Sequence, residues 1–129
     1  MADPPAAIAA SKQLVESLFK QILADFGESY GPTDDLLNLY KQVGKVLKLN
    51  VDAVPEHVPG SQASQRALRS LVGVVQGLAG LRNQIGLGHG QPTLSLALAR
   101  HARLSGTAAR GLTEFLLDTW HVRKQQESR

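Results

Sequence analysis

An all-α fold, a four-helix bundle with a glycine-rich loop between the third and fourth helices, is predicted for this chain of 129 residues. Three observations predict it. Four segments carry apolar residues at the 3.6-residue period of a helix packed on one face. Pro- and Gly-containing stretches separate those segments. No segment alternates apolar and polar residues as a half-buried strand would.

The first helix is expected from about Ala6 to Asp25, after Pro4-Pro5, with Val15, Leu18, Phe19, Ile22, Leu23 and Phe26 as one stripe and Gly27 as its stop. Thr33 reads as the N-cap of the second helix, with Asp34 and Asp35 in the first turn, where the helix dipole favours acids. That helix carries Leu36, Leu37, Tyr40, Val43, Val46 and Leu47 and ends near Leu49-Asn50. Residues 51–62, with Pro55, Pro59 and Gly60, read as a long loop. The third helix is expected from about Ala63 to Arg82 or Asn83, on Leu68, Leu71, Val72, Val75, Leu78 and Ala79. Its glycines Gly73, Gly77 and Gly80 each cost roughly 1 kcal/mol against Ala, which suggests close helix packing as their use. After the loop 86–91, Pro92 and Thr93 open the fourth helix, expected to about Thr119. Leu98, His101, Ala108, Leu112 and Phe115 form its inward stripe, flanked by Leu94, Leu104, Leu116 and Trp120. Residues 121–129 are polar and are expected to fray.

This length suits a single domain over residues 1–129, with its core at about 8–120. The absence of cysteine excludes disulfides and thiolate metal sites. The apolar runs are far short of a membrane span, and Met1-Ala2-Asp3-Pro4-Pro5 does not open a signal peptide, so a cytoplasmic place is expected.

Charge is divided unevenly. Residues 1–60 hold five Lys against eight acids, a balance of −3, whereas residues 61–129 hold eight Arg, one Lys and three acids, a balance of +6. From His57 to Thr113 there is no Asp or Glu, and all six charges are arginine: Arg66, Arg69, Arg82, Arg100, Arg103 and Arg110. The planar donor fork of arginine suits phosphate, and a basic half favours an anionic partner. The same composition also fits a solvated arginine-rich surface.

Within this half, Leu81-Arg82-Asn83-Gln84-Ile85-Gly86-Leu87-Gly88-His89-Gly90 places an Arg, an amide and a His at the end of an apolar helix. Arg82 lies four residues after Leu78 and seven after Val75, on the apolar stripe, and His101 lies three after Leu98 on the next helix. Two inward polar residues therefore flank the loop that carries His89, and Arg82, Asn83, His89 and His101 are candidates for one cleft. Such a cleft suits RNA cleavage without metal. The 2′-hydroxyl attacks the adjacent phosphate, a His serves as base or acid, an Arg stabilises the developing charge and an Asn orients. The lack of carboxylates argues against a two-metal centre, and Gly86-Leu87-Gly88 lacks the Gly-Lys-Ser/Thr ending of an NTP-binding loop. No cofactor is expected. The residues alone also fit Arg82 as a cap of helix carbonyls, His89 as a turn residue and His101 as a hydrogen-bonded core histidine. His57 and His121, in loop and tail, read as solvent-exposed.

Three blocks in order, Leu81-Arg82-Asn83 through Gly86 to His89-Gly90, Ala99-Arg100-His101-Ala102-Arg103-Leu104, and Glu114-Phe115-Leu116-Leu117-Asp118-Thr119, resemble the Abi-C domain of bacterial abortive-infection proteins. Ala10-Ser11-Lys12 through Leu23, Leu39-Tyr40 and Val74-Val75-Gln76-Gly77-Leu78 are similar too, so the resemblance spans roughly residues 8–120. It implies the all-α HEPN superfamily, whose signature is an Arg followed by a polar residue and, after a short spacer, a His. Arg82, Asn83 and His89, with six residues between Arg and His, match that signature. The resemblance implies a metal-independent endoribonuclease of phage defence or a toxin–antitoxin system, with Arg82 and His89 catalytic and Asn83 supporting. It also implies a homodimer that faces two copies of the motif into one cleft. Arg100, His101 and Arg103 fall in the matched block and are expected to bind RNA phosphate. The expected partners are RNA, a second copy, and an antitoxin or N-terminal effector. Other members of the superfamily are non-catalytic dimerisation or nucleic-acid-binding modules, which is the alternative reading.

Overall fold

The computed structural model describes residues 3–49, 61–85 and 92–127, with no side chains described at Ser61, 81–85 or 92–97. These residues form four helices and no strand: α1 (Pro4–Asp25), α2 (Leu36–Val46), α3 (Ser61–Ile85) and α4 (Pro92–Glu127). None of the helices is long and apolar enough to cross a membrane, among the described residues.

Helix α1 starts two residues earlier than expected because Asp3 caps it. The carboxylate accepts from the Ala6 amide at 3.3 Å, and Pro4 and Pro5 occupy the first turn, where a missing N–H costs nothing. The expected stripe is buried through Val15, Leu18, Phe19, Ile22 and Leu23, with Phe26 packed at its edge. Gly27 ends the helix at φ 72, and the amides of Gly27 and Glu28 return to the carbonyls of Ala24 and Leu23, at 3.1 and 2.8 Å. A left-handed residue of this kind satisfies the carbonyls that a helix end leaves open.

Helix α2 corrects the expected cap. Asp35 rather than Thr33 is the N-cap, accepting from the Asn38 amide at 2.8 Å. Asp34 instead closes the preceding turn, accepting from the Gly31 amide at 2.8 Å and from Gln42 Nε2 at 3.2 Å. This register buries Leu36, Leu39, Tyr40 and Val43 on one face. The helix also stops earlier than expected, at Leu47, because Lys48 takes φ 60 and the amides of Lys48 and Leu49 bond back to Lys45 and Gly44. Phe19 and Tyr40 meet with ring centroids 6.0 Å apart, and burial pushes the Tyr40 hydroxyl pKa up. Gln76 on α3 accepts from the Leu37 amide at 3.3 Å, satisfying an open donor of the first turn of α2.

Helix α3 buries Leu68, Val72 and Val75, while Leu71, Leu78 and Ala79 are half-buried. The close packing suggested for its glycines is absent at Gly73, Gly77 and Gly80, where an added Cβ would meet nothing within 4 Å among the described residues.

Helix α4 is phased differently from expectation. Among its described residues Leu98, Ser105, Ala108, Ala109, Leu112 and Leu116 are buried, whereas Phe115 is 43% exposed and Leu104 53%. The line through Leu98, Ser105 and Leu112 repeats every seven residues, and Leu116 continues it one turn on. Phe115 falls off that line, about 100° around the helix from Leu116 and about 60° from Leu112, at 3.6 residues per turn. The helix also runs on to Glu127 instead of stopping near Thr119. Trp120 Nε1 donates to Asp25 Oδ2 at 2.9 Å, Lys124 Nζ reaches the same oxygen at 3.2 Å, and the ammonium lies 5.6 Å from the Phe26 ring centroid. The polar tail is thereby tied to the end of α1 through residue 127.

The direction of the helices follows from these contacts. A Cβ on Gly106 would lie 3.9 Å from Ser11 Oγ, and Asp25 bonds Trp120; both pairs are 95 residues apart, so α1 and α4 run parallel and in step. The six-residue connection 86–91 requires α4 to return along α3. The N-termini of α1 and α4 and the C-terminus of α3 therefore share one end, and the Asp25 clasp marks the other.

Two measurements check this packing. Leu116→Ala is expected to cost about 2–5 kcal/mol in denaturant unfolding and Phe115→Ala less than about 0.5, the reverse of what an inward Phe115 would give. The hydrogen bond from Trp120 and then that from Lys124 lower the Asp25 pKa, while Asp25 raises that of Lys124. The contribution of Asp25 is present at neutral pH and is lost as pH falls through its lowered value; that of Lys124 is lost only as pH rises above the ordinary lysine range. In thermal melts, Asp25→Asn should lie below the parent at neutral pH, with the gap closing below the usual carboxylate range.

Candidate functional site

The sequence-predicted site belongs to the end where α3 finishes and α4 begins. Arg82 and Asn83 occupy the last turn of α3, which continues through Ile85. Arg82 stands seven residues beyond buried Val75 and fourteen beyond buried Leu68, on the same helical line. The side chains of Arg82 and Asn83, and all of His89, lie outside the described residues. On α4, His101 is half-buried between the buried Leu98 and Ser105, as its place on the inward line requires. Arg100 and Arg103 are exposed. The expected group is thus divided by depth: His101 at the margin of the core, Arg100 and Arg103 facing solvent.

Arg100 and Arg103 on the first half of α4 are exposed, as are Arg110 midway along it and Arg66 and Arg69 on the first half of α3, and none is ion-paired among the described residues. Of the described acids, Asp3 caps α1 at the site end and Glu16 lies midway along α1, while Asp25, Glu28, Asp34 and Asp35 lie around the α1–α2 connection, and Glu114, Asp118 and Glu127 on the second half of α4. The N-termini of α1 and α4 bring two positive dipole ends to the site end, against one negative end from α3. Chemically, helix N-termini and exposed arginines favour an anion.

An open groove of about 410 Å³ lies at the opposite end, lined by Leu47, Lys48, Asp118, Thr119, Val122, Arg123 and Gln126. It contains none of the predicted site residues, and Arg123 is the arginine that lines it. Its shape reflects the gap left where α2 stops beside the longer α4.

Two features escaped the sequence reading. Thr107 and Arg110 share a helical face with Arg100 and Arg103, a relation available from their spacing of three, four and three residues. The Asp25 clasp joins residues 95 apart and has no local signal.

Compared with known proteins, the chain matches the Abi_C family, described as a HEPN-like domain, over residues 1–120. No curated protein and no solved structure matches it. The match covers nearly the whole chain, including both helices that frame the Arg82–His89 segment, and the four-helix all-α architecture agrees with it. The chain belongs to the Abi_C family of HEPN-like domains.

Proposed function

We propose that this chain is a metal-independent endoribonuclease of phage defence, acting by abortive infection or as the toxin of a toxin–antitoxin pair in the cytoplasm. One observation carries the reading: in a HEPN-like domain, an Arg-Asn-(five residues)-His segment joins α3 to α4 inside a stretch whose only formal charges are arginines. In the proposed reaction the 2′-oxygen bonds to the adjacent phosphorus and the bond from phosphorus to the 5′-oxygen breaks. His89 accepts the 2′-hydroxyl proton, and the His89 of a second copy gives a proton to the leaving 5′-oxygen. Arg82 stabilises the charge that grows on the phosphoryl oxygens, and Asn83 orients phosphate or imidazole by hydrogen bonds. Arg100, His101 and Arg103 hold the neighbouring phosphates.

A homodimer would supply the second histidine. Leu104, Gly111, Phe115 and Val122 are exposed and follow one line of α4, an apolar strip that supports pairing with a second copy. The alternative is a HEPN module that dimerises or binds nucleic acid without cleaving it. It is favoured by the same unpaired arginines, which need only a phosphate backbone as partner.

Incubation with RNA in EDTA separates the two. The parent is expected to cleave, and Arg82→Ala and His89→Ala are each expected to lose about a hundredfold or more. Equal cleavage by all three proteins contradicts the assignment. Salt-dependent binding without products selects the non-catalytic module.

A further inference from the structure

On α4 the residues Arg100, Arg103, Thr107 and Arg110 follow at three, four and three residues, the spacing of a single helical face, and all four are exposed. The three arginines span ten residues, about 15 Å along the axis at helical rise. None has an ion-pair partner among the described residues, although Glu114 stands four residues from Arg110. Like charges three residues apart, as at Arg100 and Arg103, destabilise a helix slightly, so this row does not serve the fold. Continuing along the same face the sign reverses, because Glu114 and Asp118 are exposed acids. The row begins near the Arg82–His89 end and stops short of the Asp25 clasp.

We propose that this face is a track for single-stranded RNA flanking the site, holding about three phosphates, one per arginine, and ended by the acids Glu114 and Asp118. The proposal rests on the reading of the Arg82–His89 end as an RNA site. A guanidinium fork meets phosphate oxygens in bidentate fashion, and a straight row of three follows one strand. Duplex RNA is recognised differently, through shape and across successive grooves over a length of about 16 base pairs, far more than this row covers. The row carries no aromatic ring to stack a base and no amide to read a base edge; Thr107 is its only other member. The track therefore grips backbone and is indifferent to base sequence. Sequence preference, where it exists, belongs to the Arg82–His89 end.

The test uses the full chain carrying His89→Ala, so that the probe stays whole, and a labelled oligouridylate about twelve nucleotides long, read by fluorescence anisotropy over a range of salt concentrations. Adding Arg103→Gln and Arg110→Gln is expected to reduce the slope of log affinity against log salt by about 1.4, at roughly 0.7 per phosphate contact. Lys41→Gln with Lys45→Gln, which removes two exposed charges from α2, is expected to leave the slope unchanged. Circular dichroism is expected to report equal helix content for all of them. An oligoadenylate is expected to show the same reduction, and an RNA duplex none.

An unchanged slope for the arginine pair, an equal reduction for the lysine pair, an equal reduction on duplex, or a parent that binds no RNA would each overturn the track. Cleavage by the parent together with an unchanged slope overturns the track and leaves the ribonuclease standing. A reduced slope with no cleavage by the parent keeps the track as a binding face and overturns the ribonuclease.

Discussion

The packing of α4 along α1 is the interaction on which the rest of the structure depends. It is the most extensive helix pair of the bundle. Small residues make it possible: Ser11 on α1 faces Gly106, and Ser105, Ala108 and Ala109 are buried along the neighbouring turns of α4. Side chains of this size let two helix axes approach, and the larger Leu98, Leu112 and Leu116 fill the space on either side. The register so fixed has two consequences. At one end it sets Trp120 and Lys124 against Asp25. At the other it holds the start of α4 beside the close of α3.

That register also explains which side chains of α4 face water. Turning α4 about its axis to bury Phe115 would carry Arg100 toward a neighbouring helix, where an unpaired guanidinium group is costly. With Leu112 and Leu116 inward, Arg100, Arg103 and Arg110 face water.

Local signals were legible in the sequence and long-range ones were not. Gly27 announces the end of α1 because its left-handed turn suits only a residue without a Cβ. Lys48 takes the same turn on α2 without such a sign, so the end of that helix is misplaced by inspection. Thr33, Asp34 and Asp35 are all capping residues, and only the demand that Leu36, Leu39 and Val43 reach the core selects Asp35. The phase of α4 was ambiguous because both Phe115 and Leu116 are large and apolar, and only the neighbouring helices choose between them. The length of α4 depends on an acid 95 residues away. At the candidate site, the helical lines of Arg82 and His101 could be read from spacing, and the half-burial of His101 agrees with that reading. What spacing does not fix is the path of the chain through 86–91, which lies outside the described residues.

The central claim is that phosphate chemistry belongs to the α3–α4 end and not to the groove at the clasp. An amide NMR titration with a 2′-O-methyl oligoribonucleotide, which lacks the attacking hydroxyl and stays intact, tests it most directly. Shifts concentrated from Arg82 through Arg110 are the expected result. Shifts concentrated at Leu47, Lys48 and Arg123 around the groove, or no shifts at saturating oligonucleotide, would contradict it.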